Sequence, residues 1–430
     1  MSLAKLHLLK SRSPHEFFNL YFKYVEKTEP PIIFHRWSML TCIAALLGRQ
    51  FQLPFGDGFI TPNMYVMLIA DPGTRKSTAI KTAKRILSAA GYTRFAAERT
   101  SKEKFLVDLA QNVDSSDGEI LNLSVSDLEP KEIFITADEF VEFVGPANLE
   151  FLSLLGSLWD WHDETNPYKQ RLKTSKSISI YQPTINLLSG NTHASFCEAF
   201  PPQAIGQGFL SRLLLIYSEQ NPNKIAFPES PDPALKQKLV ESLSRIKDTV
   251  VGTATLSEKA TSMLTTIYHS YMPQDDSRLR HYDTRRYTHL LKLCLIFAAI
   301  SETTEIGAEH VLMANTLLTF TEHKMPAALG EFGKARNADV AAKIIDILTV
   351  SKLPVDIPQL WKNLHSDLDK PEDLNKLLLG LVQAGKIQYV AKSKSSSVQG
   401  YLLIRKVLKK DNVFVDYSLL PECKNSNALL

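Results

Sequence analysis

Cysteine is scarce in this sequence, and the few that occur are too far apart to suggest a shared site. The 430 residues contain Cys42, Cys197, Cys294 and Cys423, and no Cys-x-x-Cys pair. Three of the four lie in apolar stretches, so we expect buried free thiols in a reducing compartment, and neither disulfides nor a zinc site. Four scattered histidines also lack carboxylates at ligand spacing, and we expect structural or surface roles for His35, His193, His289 and His310.

Long apolar runs and a strong net charge are also missing. The longest apolar stretches, such as Leu290 to Ile300, are too short to span a bilayer. The N-terminus has no long apolar core followed by a small-residue cleavage site. We therefore expect a cytoplasmic protein with no membrane partner. The formal net charge of +3 neither requires nor excludes nucleic acid, so that question depends on local clusters of charge.

The alternation of apolar and polar segments predicts several structural parts. Strands alternating with helices between about residues 60 and 220 favour an α/β core with a parallel sheet. Near the C-terminus, the order helix, short helix, helix, strand, Ser-rich turn, strand is the pattern of a winged helix. The predicted parts are an N-terminal helical segment (1–55), the α/β core (56–222), a helical lid (223–330), a winged helix (337–410) and a tail (411–430).

A phosphate-binding loop is predicted where an apolar strand meets a helix, in the segment ADPGTRKST from Ala70 to Thr78. Phosphates need backbone N–H groups, a helix N-terminus and a cation, and Lys76 is the cation here. Ser77 supplies a hydroxyl for Mg²⁺. The usual motif has glycine where this chain has Ala70 and Arg75, so the match is incomplete. The predicted ATP-binding residues are Asp71, Pro72, Gly73, Thr74, Arg75, Lys76, Ser77 and Thr78.

Polar residues end two further apolar strands. The strand IFITA precedes Asp138 and Glu139, which supply a carboxylate for Mg²⁺ and a base for the attacking water. The strand TINLLSG leads to Asn191, which either orients that water or is only a turn residue. Arg212 precedes the strand LLLIY with no acidic partner nearby in sequence. It is either an arginine finger for a neighbouring subunit or a surface or core-pairing arginine.

In this order, these segments resemble the AAA+ type ATPases of phage and prophage replication modules, and more distantly the minichromosome maintenance helicases. The resemblance covers roughly residues 30–405 and rests on TEPPIIFHRW, NMYVMLIADPGTRKST, IFITADEF, GFLSRLLLIY, and RRYTHLLKLCLIFAA with EHVLMA. It implies a P-loop core with a helical lid and a winged helix, and ATP and Mg²⁺ as ligands. It also implies a homo-oligomer, usually a hexamer, with sites shared between subunits.

The resemblance implies roles for the residues of the phosphate site. Lys76 and Ser77 match the Walker A lysine and hydroxyl, and Asp138 and Glu139 match the Walker B pair. Arg75 departs from the family pattern. This departure concerns the rate of hydrolysis more than binding, because the lysine and the hydroxyl remain.

Further roles implied by the resemblance lie outside the phosphate loop. Asn191 matches the sensor-1 position, and Arg212 matches the arginine of the Ser-Arg dipeptide in GFLSRLLLIY. Either Arg285 or Arg286 resembles the sensor-2 arginine of the helical lid. The candidate catalytic residues are therefore Lys76, Glu139, Asn191, Arg212 and Arg286.

A basic segment, YKQRLKTSKSISI, lies between the Walker B and sensor-1 strands. Its alternating charges are consistent with one face of a strand, and so with a hairpin arm. In a ring ATPase such an arm faces the central channel and neutralises the phosphates of a single strand. The alternative is a solvated hairpin. The candidate DNA-binding residues are Lys169, Arg171, Lys173 and Lys176, with Tyr168 and Tyr181 at the two ends of the segment.

Three functions are compatible with these features. The first is an ATP-dependent, DNA-translocating replicative helicase or initiator-type ATPase of a phage or mobile element. Its partners would be single-stranded DNA and a primase or other replication proteins. The second is a helicase loader that uses ATP as a switch, an alternative that Arg75 keeps open. The third is an ATPase that remodels proteins or acts in phage defence. The basic hairpin favours the first.

Overall fold

Apolar segments of the chain form short strands throughout the part that the computed structural model describes. The described residues are 13–111, 131–160, 162, 167–170, 178–201, 204, 208–219, 223–274, 276–330, 332, 338–351, 353–368, 370–383, 385–391, 399–403 and 413–422. Their strands are β1 (Phe51–Phe55), β2 (Gly58–Ile60), β3 (Tyr65–Ile69), β4 (Glu132–Ala137), β5 (Tyr168–Gln170), β6 (Ile178–Ile180), β7 (Thr184–Asn191), β8 (Leu213–Tyr217), β9 (Gly252–Thr253), β10 (Thr255–Leu256), β11 (Glu305–Ile306), β12 (Ile387–Val390) and β13 (Gly400–Leu403).

Many helices begin after a residue whose side chain accepts a hydrogen bond from the first turn. Ser13, Asn148, Thr192, Asp232, Ser257 and Asp356 do so, and such caps satisfy N–H groups that have no partner within the helix. The helices are α1 (Pro14–Val25), α2 (Ile32–Leu47), α3 (Lys76–Ala89), α4 (Lys102–Gln111), α5 (Phe140–Val144), α6 (Leu149–Ser157), α7 (His193–Ala199), α8 (Pro233–Thr249), α9 (Glu258–Ser270), α10 (Arg280–Asp283), α11 (Arg286–Ile300), α12 (Ala308–Leu329), α13 (Ala338–Val350), α14 (Ile357–Leu364) and α15 (Pro371–Gln383).

The predicted parallel sheet is confirmed. Four strands lie in the order β4–β7–β3–β8, and each neighbouring pair is parallel. Every residue of β3 and β7 is buried, as expected where helices cover both faces of a parallel sheet. Because β7 lies between β3 and β4, the segments that follow these three strands meet at one edge of the sheet.

The parts predicted as an N-terminal segment, a core and a lid lie in one compact unit. This unit comprises Met1–Phe332 together with Asn412–Leu430. Helix α2 is buried along almost its whole length, and it packs against α3, β3 and β7, while α12 packs against β8. A helix that is apolar on all sides belongs inside a core. The N-terminal and lid helices are therefore integral parts of the core rather than separate domains.

The second compact unit spans Gly333–Asp411. It contains α13, α14 and α15 followed by the antiparallel pair β12 and β13, and Val355 forms a further bridge to Tyr401. Its own small core includes Ile344, Leu360, Leu374 and Ile387. The element order is the predicted one, and the assignment as a winged helix stays a prediction.

The residues predicted as a tail include an ordered segment, 413–422, that packs on the first unit. The guanidinium of Arg36 on α2 binds the carboxylate of Glu422 through Nε at 2.5 Å, and the two side chains are 2% and 5% exposed. Asn315 on α12 donates to the carbonyls of Val413 and Phe414 at 2.9 and 3.1 Å. Charge and hydrogen-bond pairing, together with the fully buried Leu420, fasten this segment, which we call the C-terminal arm (413–422).

None of the described helices combines the length and apolar character that crossing a membrane requires.

Candidate functional site

The loop after β3, the acidic pair after β4 and the end of β7 lie side by side. Ile69, the last residue of β3, pairs with Asn191, the last residue of β7. Ala137, the last residue of β4, pairs with Ser189. We call this the carboxyl edge of the sheet, and the carboxyl ends of parallel strands are the usual place for a ligand in an open α/β fold. The structure thus brings together residues that lie up to 120 positions apart in the chain, as Asp71 and Asn191 do.

Gly190 allows a close backbone contact at the carboxyl edge. A Cβ atom on this residue would lie 2.8 Å from the carbonyl oxygen of Asp138 and 3.3 Å from Cβ of Lys76. Only a glycine permits the end of β4 and the first residue of α3 to approach β7 this closely. Sequence reasoning did not select Gly190, although a glycine inside an apolar strand is a recognised sign of close backbone approach.

The predicted phosphate loop joins β3 to α3 by a tight turn. Thr74 Oγ1 donates to the carbonyl of Asp71 at 2.7 Å. Gly73 and Arg75 both have positive φ, 86° and 60°. Lys76 Nζ donates to the carbonyls of Ala70 at 2.8 Å and Asp71 at 3.1 Å, so its ammonium group lies across the mouth of the loop. Ser77 and Thr78 follow in the first turn of α3, beside the helix N-terminus that an anion favours.

Half-burial and two carboxylates set the electrostatics of Lys76. Burial lowers the pKa of its amine, and the negative charges of Glu139 and Asp71 oppose that shift. A negative charge added beside Lys76 would raise the pKa of its amine, because the charge favours the protonated form.

The acidic pair follows β4 directly. Asp138 Oδ2 accepts from Lys81 Nζ of α3 at 2.5 Å, and both side chains are about half exposed. Glu139 has an extended backbone and precedes α5. A cavity of about 110 Å³ beside the pair is lined by Lys81, Lys84, Glu98, Asp138, Glu139 and Glu142. Lys81 was not among the predicted site residues. Its position in the same helix, about one and a half turns after Lys76, is the sequence signal that could have indicated it.

Asn191 is fully buried, and both ends of its amide contact protein. Its Oδ1 accepts from the backbone N–H of Phe140 at 3.1 Å, and its Nδ2 approaches the sulfur of Met67 at 3.0 Å. Phe140 directly follows Glu139, so Asn191 fixes the backbone next to the predicted base. The structure thus places Asn191 against the backbone beside Glu139, and its role in orienting the attacking water stays a prediction.

Arg212 lies at the opposite edge of the sheet, which we call the amino edge, where β3, β7 and β8 begin. Leu213, the next residue, pairs with Tyr65 at the start of β3. Five residues of rise, at about 3.3 Å each, separate Tyr65 from Ala70 at the start of the phosphate loop, so Arg212, one residue further back, is on the order of 20 Å from it along the strand. It cannot reach the phosphate loop of its own subunit.

The structure supplies the acidic partner that the local sequence around Arg212 lacks. Arg212 Nη2 donates to Asp160 Oδ2 at 2.5 Å, and Arg285 Nη1 donates to the other oxygen of Asp160 at 2.9 Å. Both guanidinium groups also lie near the indole of Trp159, at 5.8 and 5.4 Å from the ring centre. Two arginines from distant segments therefore share one carboxylate at the amino edge.

Arg286 is not at either edge of the sheet. It forms a buried ion pair with Glu322 at 2.7 Å, donates to Asn315 and Thr319, and stacks on Tyr271. Its side chain is 2% exposed. The candidate sensor-2 role of Arg286 is corrected to a structural one, because a buried guanidinium that is fully paired cannot turn to a nucleotide without leaving Glu322 as a buried, uncompensated charge.

The two strands that begin and end the predicted basic hairpin are present. β5 and β6 pair in antiparallel fashion, with Tyr168 opposite Ile180 and Lys169 opposite Ser179. The side chain of Lys169 is exposed. Arg171, Lys173 and Lys176 lie outside the described residues. Tyr181, after the hairpin, accepts from the N–H of Lys131 at the start of β4, so the hairpin leaves from the amino edge.

Cys42 and Cys294 are buried and Cys197 is exposed, so burial holds for two of these three free thiols, while Cys423 lies outside the described residues. Among the described residues, no group of three or more histidine, cysteine or acidic side chains could hold a metal by itself. A Mg²⁺ ion that binds phosphate oxygens and water needs only one or two protein ligands, which Asp138 and Ser77 can supply.

No protein-family model matches the sequence, and no curated protein sequence matches it.

Proposed function

We propose that this protein is a Mg²⁺-dependent ATPase of the AAA+ type whose subunits form a ring that moves along single-stranded DNA. One observation carries the proposal: the cation Lys76 and the backbone of Asp138 approach each other across Gly190, at the edge where three parallel strands end. A cation, a helix N-terminus and a carboxylate pair within one small space are what a Mg²⁺–triphosphate requires.

Each residue of the carboxyl edge has a proposed task. Lys76 would leave the carbonyls of Ala70 and Asp71 to bind the β- and γ-phosphates, since a phosphate oxygen is a stronger acceptor for an ammonium group than a peptide carbonyl. Ser77 and Asp138 would hold Mg²⁺, which neutralises charge on the phosphates. Glu139 would take the proton of the attacking water, and Asn191 keeps Glu139 in place.

The amino edge supports a site shared between subunits. Arg212 is too far from the phosphate loop of its own chain to contact it, because it lies at the opposite end of the sheet, where Asp160 holds it. When one subunit places its amino edge against the carboxyl edge of the next, the contact joins two different surfaces, and such head-to-tail contacts form a ring when the rotation between subunits closes. A hexamer is the size that the resemblance implies.

The role in DNA movement rests on the hairpin. The hairpin formed by β5 and β6 joins the sheet at the amino edge, opposite the phosphate site, and carries the exposed cation Lys169. Basic arms repeated around a ring would neutralise the phosphates of one strand.

The nucleotide site is tested by calorimetry with Mg-ATP. Lys76→Ala should abolish binding, while Arg85→Ala, which removes an exposed cation from the same helix, should leave the affinity unchanged. Glu139→Gln should retain binding and lose turnover. Equal ATP affinity in the wild type and in Lys76→Ala would exclude the assigned site.

The DNA path is tested by charge reversal. Changing both Lys169 and Arg171 to glutamate should weaken single-strand binding and reduce the slope of log affinity against log salt by about two contacts. Reversal of Lys238 and Lys259, exposed on α8 and α9, is the matched control. ATP binding without DNA should survive in both variants. Unchanged single-strand affinity at the same salt slope would reduce the arm to a solvated hairpin and favour a loader or a remodelling ATPase.

A variant that lacks the second unit has to retain the C-terminal arm. Deleting everything after residue 337 would also remove Glu422 and leave Arg36 buried without its carboxylate. A variant in which a flexible linker replaces 333–411 and the arm is retained isolates the contribution of the second unit to DNA or partner binding.

A further inference from the structure

Arg75 occupies a loop position where glycine is the usual residue, and its backbone explains why. Its φ and ψ, 60° and 31°, lie in the left-handed region. This conformation is unfavourable for a residue with a side chain. Contacts of the Arg75 side chain with other residues therefore have to offset the cost of this backbone conformation.

The carboxylate of Glu29 holds Arg75. Arg75 Nε donates to Glu29 Oε2 at 2.6 Å, and the two side chains are 58% and 20% exposed. Glu29 lies in the turn between α1 and α2, so this ion pair fastens the phosphate loop to the N-terminal helices. The guanidinium of Arg75 is thus turned to a carboxylate of the same chain, although it belongs to the phosphate loop.

The same carboxylate also holds the segment that leads from β8 into α8. Glu29 Oε1 accepts from the backbone N–H of Ile225 at 3.0 Å. Lys27, in the same turn, forms a second, exposed ion pair with Glu229. Ile225 and Arg75 lower the pKa of Glu29 by binding its charged form. Phosphate loop, N-terminal turn and segment 223–229 therefore meet at Glu29.

A guanidinium group can bind a phosphate through two parallel hydrogen bonds, just as it binds a carboxylate. A terminal phosphate carries more negative charge than a carboxylate. A triphosphate on the loop would therefore compete with Glu29 for Arg75. The exposure of Arg75 leaves room for its side chain to turn. When Arg75 leaves, Glu29 loses the ion pair that helps to aim its carboxylate at Ile225.

We propose that Arg75 and Glu29 form an exchange pair: nucleotide phosphate takes Arg75 from Glu29, and the hold of Glu29 on Ile225 then weakens. Arg75 is a phosphate-contacting residue in this scheme, and Glu29 is a positioning residue that passes the occupancy of the loop to segment 223–229. That segment carries Phe227, whose side chain is 90% exposed, so its release moves a large apolar group on the surface. The inference rests on the proposed nucleotide site.

Hydrogen exchange at the Ile225 amide tests the exchange pair in the full chain. In the wild type, a non-hydrolysable β,γ-imido analogue of ATP with Mg²⁺ should raise the exchange rate at Ile225 about fivefold, the scale of a partly exposed ion pair. Glu29→Ala should show the fast rate before the analogue is added. Arg75→Gly and Arg75→Gln should still bind the analogue and show the fast rate with or without it, because no guanidinium holds Glu29 in either state.

Lys27→Ala is the matched control, since it removes the neighbouring ion pair between the same two segments and should leave the response at Ile225 intact. Calorimetry with the same analogue separates a failure of the exchange pair from a failure of the nucleotide site. Binding to the wild type with no change at Ile225, or an unchanged response in both Arg75 variants, would overturn the exchange pair alone. Absence of binding to the wild type would overturn the nucleotide site and the exchange pair together.

Discussion

Replacing Gly190 by alanine is the most direct perturbation of the carboxyl edge. The added methyl group would lie 2.8 Å from the carbonyl oxygen of Asp138 and 3.3 Å from Cβ of Lys76. The first contact is with backbone, which cannot turn aside as a side chain can. The strand ends or the first turn of α3 must move instead, and both carry residues of the proposed site.

The expected cost follows from two opposing effects. Overpacking a tight interior costs about 1–3 kcal/mol. Removing a glycine from a strand returns about 0.5–1 kcal/mol because the unfolded chain becomes less flexible. We therefore expect a net loss of about 1–2 kcal/mol in the free energy of unfolding. If the movement falls on Lys76 and Asp138, ATP affinity should fall about tenfold, since 1.4 kcal/mol corresponds to a factor of ten.

Urea denaturation and calorimetry with Mg-ATP measure these two quantities. Gly156→Ala is the control, because its added Cβ would meet the nearest atoms, those of Phe209, only at 3.8 Å. That variant should be as stable as the wild type or more so, since alanine favours the helix α6. The reasoning fails if Gly190→Ala matches Gly156→Ala in stability and the wild type in ATP affinity.

Three further predictions concern the subunit contact, the C-terminal arm and a buried amine. Arg212→Ala should bind ATP and lose turnover by on the order of 10³-fold, and mixing it with Lys76→Ala subunits should restore part of the rate; an unchanged rate in an intact assembly would refute the finger. Glu422→Ala should lower the free energy of unfolding by about 3–5 kcal/mol, because Arg36 is left buried and unpaired, whereas the double change Arg36→Met with Glu422→Leu should lose much less in urea denaturation. Burial lowers the pKa of Lys292 to about 7. Between about pH 7 and 10.5 the unfolded chain binds the proton that the folded chain releases, so the stability of the wild type relative to Lys292→Met should rise with pH in that window; a constant difference between pH 6 and 9 would contradict this.

The residues of the proposed phosphate site could be selected from the sequence because their signals are local. A strand, a tight loop and a helix N-terminus occupy consecutive residues around Lys76, and the pair Asp138 and Glu139 follows its strand directly. Strands alternating with helices also specify a parallel sheet, since a parallel pair needs a long crossover connection. Strand ends, and therefore the residues placed there, can be read from such patterns without knowing the order of the strands.

Contacts between distant segments decided the rest. No local pattern pairs Arg212 with Asp160 or Arg75 with Glu29, because ion pairing depends on which surfaces the folded chain brings within about 4 Å. Arg285 and Arg286 are neighbours in sequence, yet a rotation of about 100° per helical residue sends one to the amino edge and the other into a buried pair. The sequence by itself determined which chemical groups stand at the ends of the strands. Tertiary structure alone decided which of them face one another, since burial and charge pairing are properties of the assembled core.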